Sequence, residues 1–101
     1  VRSNNDLSFG FPMFKILSNY FKNYKLDTIR KMITRWAPPE DNNHTEAYIK
    51  AVSDYAGIPA DDPINVNDRE QMIRIVAGMS KVENGVEADM LDVIAGWNLL
   101  Q

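Results

Sequence analysis

The 101-residue sequence has no cysteine and a single histidine, His44. The first absence excludes disulfides, a thiolate nucleophile and cysteine-ligated metal. The second leaves neither HExxH nor a comparable His/Asp spacing, so the residues imply no metal site and no cofactor. A Ser–His–Asp triad would have to recruit His44, with no nucleophile-elbow motif to anchor it. Phosphate-cradling glycine loops are missing too. No apolar run approaches the roughly 20 residues needed to cross a bilayer, so no membrane span is expected. There is no internal repeat, no low-complexity tract and no run that alternates with a period of two. Acids are absent from one long interval, between Asp6 and Asp27.

What is present fits a globular domain. Hydrophobic residues make up 45% and charged residues 25%, and the length suits one core rather than two. A single helical domain over residues 1–101 is expected, with a short flexible N-terminus over about residues 1–9. The net charge of −3 is unevenly spread. Residues 1–36 hold seven bases against two acids (+5), and residues 37–101 hold four against twelve (−8). The two halves either cancel each other's fields in the fold or steer an anionic partner to the basic half.

Periods of three and four predict an all-α, compact single domain of about five short helices. The first opens near Phe11, with Pro12 in its initial turn, and carries the stripe Phe14, Leu17, Phe21 and Tyr24. The second is capped by Asp27 and buries Ile29, Met32, Ile33 and Trp36 until Pro38 and Pro39 stop it. Asn43-x-x-Glu46 and Asn67-x-x-Glu70 read as capping boxes for the third and fourth helices. Tyr48, Ala51, Val52 and Tyr55 face inward on the third, which ends at Gly57. Met72, Ile73, Val76, Met79 and Val82 do so on the fourth, which ends near Gly85. A last helix from about Val86 presents Met90, Ile94 and Trp97.

Few residues suggest chemistry. The acidic loop holding Asp61, Asp62, Asn65, Asn67, Asp68 and Glu70 has the composition of a calcium loop, but it lacks the EF-hand glycine and Pro63 interrupts it. Asn43-His44-Thr45 matches a glycosylation sequon, a weak three-residue pattern. Lys22, Lys25, Arg30, Lys31 and Arg35 offer a basic edge for nucleic acid, which the acidic remainder of the chain disfavours. Glycoside cleavage needs a carboxylic acid in a partly dry cleft, usually with a second carboxylate nearby. The weak catalytic candidates are Glu40, beside the prolines, and Glu83, near Gly85.

The run TIRKMITRWAPPEDNNHTEAYIKAVSDYAGI, from Thr28 to Ile58, carries a family likeness. Its marks are a Thr-Ile helix start, Arg-Trp-Ala-Pro-Pro at Arg35 to Pro39, a Glu/Asn interval, and Thr-x-x-Tyr-Ile at Thr45, Tyr48 and Ile49. A closing Glu-Asn-Gly follows at Glu83 to Gly85. Over roughly residues 14–85 this pattern resembles small virion-associated structural proteins of phages and prophages, whose helical shape invites comparison with the lysozyme-like fold. The family tends to begin Arg-x-Asn-Asn-Pro, where this chain has VRSNND with Asp6 in place of proline.

In lysozyme-like enzymes the catalytic glutamate lies near the end of an early helix. Here Phe11 to Tyr24 offers only Lys, Asn, Ser and Tyr as polar groups. The resemblance therefore implies a reduced lysozyme-like arrangement without its acid: a non-catalytic structural or cell-wall-contacting module. Its expected partners are phage structural proteins or peptidoglycan, and its expected state is a monomer or weak oligomer. The expected binding face comprises Arg35, Trp36, Glu40, Asn43, Thr45 and Tyr48. The alternatives are a muramidase-like peptidoglycan hydrolase using Glu40 or Glu83, and a basic-edge nucleic-acid-binding domain. Localisation stays open between virion, bacterial cytoplasm and envelope, and the Val1 start is compatible with an upstream targeting segment.

Overall fold

Five α-helices and one 3-10 turn account for the ordered secondary structure in a computed structural model that describes residues 2–100, with side chains from residue 8 onward. The helices are α1 (Arg2–Tyr24), α2 (Ile29–Trp36), α3 (Thr45–Ala56), α4 (Arg69–Asn84) and α5 (Met90–Asn98), and the 3-10 turn is Pro39–Asp41. No strand occurs among the described residues. The radius of gyration of 12.4 Å is close to the roughly 13 Å expected of a 100-residue domain.

Helix α4 is central, packing against α1, α3 and α5. Residues Ile75 through Ser80 are buried without a break, as befits a helix covered on more than one side. Helices α1 and α5 cross tightly. A methyl group added at Gly96 would lie 3.0 Å from the Phe11 backbone nitrogen, so glycine permits this approach. Phe14 and Trp97 meet edge to face beside the crossing, ring centroids 5.3 Å apart. Helix α1 begins at Arg2 rather than near Phe11 and holds Pro12 inside it. Pro12 is exposed, so the backbone bond it forgoes lies on the solvent side.

The caps of α2, α3 and α4 lie one residue from the expected positions, and the start of α5 lies further on. Thr28, not Asp27, caps α2, its Oγ1 accepting from Lys31 N at 3.1 Å. Asp68, not Asn67, caps α4, its carboxylate accepting from Gln71 N at 3.2 Å. His44 occupies the cap of α3 and makes no side-chain cap bond, while α5 starts at Met90 behind Asp89, not at Val86. For α2 and α4 the expected cap stands beside a side chain equally able to accept an N–H bond, and sequence spacing does not choose between such neighbours. Gly57 and Gly85 close α3 and α4 as expected, both left-handed with φ of 71° and 77°.

Several residues assigned to the core stand outside it. Tyr24 is 50% exposed, Val82 36% and Met90 37%, and Ala51 is exposed. The segment between α3 and α4 is tied to α2 by backbone bonds, Arg30 N to Ala60 O at 3.0 Å and Ile64 N to Asp27 O at 2.8 Å. Ile64 and Val66 are thereby buried over the core. Two of its acids serve the fold: Asp61 pairs with Arg30 at 2.8 Å and Asp68 caps α4.

Candidate functional site

The interval Arg35 to Tyr48 turns the chain from α2 into α3. Pro38 and Pro39 end α2, and Pro39 starts the 3-10 turn, where its fixed φ suits an initial position. Asn42 then takes the left-handed conformation, φ 67°, which asparagine tolerates better than most residues. Two expected site residues are spent on holding this turn. Asn43 Nδ2 donates to Pro38 O at 3.0 Å. Thr45 Oγ1, buried, donates to Ala37 O at 2.6 Å. Thr45 is buried, whereas Asn43 is exposed.

Trp36, Tyr48 and Glu83 come together from three helices. Glu83 Oε2 accepts from Tyr48 Oη at 2.8 Å and from Trp36 Nε1 at 3.1 Å. Glu83 stands in the last turn of α4, the negative end of the helix dipole, which disfavours a carboxylate; the two donors offset that. Tyr48 is 9% exposed. Burial first, then its hydrogen bond to Glu83 and the charge there, push the phenol well above the ordinary tyrosine value of 10.0. This constellation holds one carboxylate, and it ties α2, α3 and α4.

Glu40 lies elsewhere, exposed on the 3-10 turn. It lines an open groove of about 510 Å³ with Leu26, Arg30, Lys31, Thr34, Arg35 and Pro38, and is the only acid among those residues. The two catalytic candidates thus sit in separate settings. In neither is there the pair of facing carboxylates that glycoside cleavage ordinarily uses.

Two cations of the basic edge are paired with carboxylates. Arg30 bridges Glu46 at 3.0 Å and Asp61 at 2.8 Å, and Lys31 bridges Asp27 at 3.1 Å. Arg35 differs. Its guanidinium lies over the rings of Tyr24 and Tyr20, 4.4 and 5.7 Å from their centroids, and no carboxylate pairs with it among the described residues. The role of Tyr24 was hidden by its helical spacing, which continues the Phe14–Leu17–Phe21 stripe. The available signal was its position between Lys22 and Lys25, at a helix end that basic side chains surround.

The chain is similar to a phage protein. It is 38% identical over 71 residues to "Protein P5" of Pseudoalteromonas phage PM2, and the match covers 70% of this chain. It spans only 42% of that relative's length. No family model matches the chain, and no solved structure matches it.

Proposed function

We propose that the chain is a non-catalytic structural module of a phage or prophage particle, making contacts to other particle proteins or to the cell wall through the Arg35–Glu40 side of the α2–α3 turn. The observation that carries this reading is the similarity to a phage protein over 70% of the chain. The settings of the two candidate acids support it. Glu83 serves as a shared acceptor for two donors of the fold, and Glu40 faces an open groove with no second acid. A muramidase-like reaction would need a paired carboxylate at one of them. The nucleic-acid alternative loses support from Arg30 and Lys31, whose charges are met inside the fold.

The test is to purify particles from a culture that produces them and to look for the protein by quantitative mass spectrometry across a density gradient. The protein should peak with the assembled particles and stay there through a high-salt wash. Abundance in the lysate with none in the particle fraction would overturn the structural role.

A further inference from the structure

The groove beside Arg35 carries an inference about the kind of partner it fits. Its rim holds three cations, two of which are already engaged: Arg30 with Glu46 and Asp61, and Lys31 with Asp27. Arg35 meets no carboxylate among the described residues and is exposed at the end of α2. Its guanidinium lies over the rings of Tyr24 and Tyr20, which favour a cation there. An aromatic face takes up none of a guanidinium's N–H donors, which keep the fork that matches the two oxygens of a carboxylate. Leu26 and Pro38 supply an apolar floor, and Glu40 places one negative charge on the lining.

We infer that this groove docks a short mixed-charge peptide segment of a partner protein: a carboxylate on Arg35, an apolar side chain over Leu26 and Pro38, and a basic side chain or backbone N–H toward Glu40. The inference rests on the structural role proposed above and names the chemistry of its contact. Charge complementarity favours a peptide over nucleic acid. Polyphosphate binding grows with the number of phosphates neutralised, and here a single unpaired arginine faces a groove that also holds Glu40, in a chain of net charge −3. One fork, one apolar floor and one acid instead match a chain that alternates charge with hydrophobicity.

The test is an NMR titration with three nine-unit probes: Glu-Leu-Lys repeated three times, Gln-Leu-Lys repeated three times, and oligothymidine. The Gln peptide is the more positive, so the overall field of an acidic protein favours it. The Glu peptide should nevertheless half-saturate at about tenfold lower concentration, one charge-assisted contact in size, with shifts confined to residues 26–40. Arg35→Gln should remove that advantage, and Arg35→Lys should remove most of it, because a lysine keeps the charge but not the fork. Arg74→Gln, an exposed arginine on α4, should leave it intact. The amide spectrum of each variant checks that the fold is retained. Equal affinity for the two peptides, shifts centred elsewhere, tighter binding of oligothymidine, or no binding at millimolar peptide would each overturn the inference. Any of these results alongside normal incorporation into particles would remove the groove and leave the structural role standing.

Discussion

The two tryptophans occupy opposite kinds of contact. Trp97 is 8% exposed and buries its ring against Phe14 where α1 crosses α5. Trp36 is half-buried and uses its indole N–H to hold Glu83. One corner of the molecule is closed by shape, the other by a shared carboxylate. Apolar packing tolerates little change in volume, whereas a hydrogen-bonded corner responds to loss of an acceptor and to pH. Trp36, Tyr48 and Glu83, candidates for a site in the sequence, form a polar fastening of the fold.

The largest break should come at the apolar corner. Trp97→Ala should cost about 3–5 kcal/mol, the usual loss for a buried large aromatic, visible as a fall in the urea midpoint at unchanged slope. Gly96→Ala should cost about 2 kcal/mol, because the new methyl would meet Phe11 backbone at 3.0 Å, and backbone there has little freedom to move. A loss under about 0.5 kcal/mol in the same urea titration would mean that the crossing is looser than described.

The polar corner should yield less. Glu83→Ala leaves Tyr48 Oη and Trp36 Nε1 without their acceptor and should cost about 1.5 kcal/mol. Glu83→Gln keeps an oxygen in place and should cost less, with the indole N–H resonance of Trp36 shifted in both. The smallest effect is in the alkaline range. The Tyr48 phenol is raised in the folded state by burial and by Glu83, so above about pH 10 the unfolded chain loses this proton while the folded one keeps it. Stability from this group is therefore complete below that pH and declines as pH rises through it. Tyr48→Phe should flatten that part of the decline; an unchanged slope would show that the phenol does not titrate differently on folding.

Helix number, helix type and most of the core were legible in the residues themselves, because the three-and-four spacing of Met13, Phe14 and Leu17, or of Met72, Ile73 and Val76, has no strand interpretation. Cap positions were less so, since Asp27 and Thr28, or Asn67 and Asp68, are adjacent residues that both accept N–H bonds. The hydrogen bonds among the candidate residues were not legible. Trp36, Tyr48 and Glu83 could each be named as candidates, yet the bond from Tyr48 to Glu83 spans 35 positions, a separation that no local pattern encodes. Tyr24 shows the opposite failure. Its register continues the buried stripe of α1, but the stripe outruns the core, and the ring ends under Arg35.

The function proposed above has this polypeptide acting by contact and not by cleavage. Its most direct test is incubation with purified peptidoglycan, reading soluble muropeptides by chromatography for the wild type, Glu40→Gln and Glu83→Gln. The account predicts no release above the buffer control from any of the three. Release by the wild type that either substitution abolishes would contradict it.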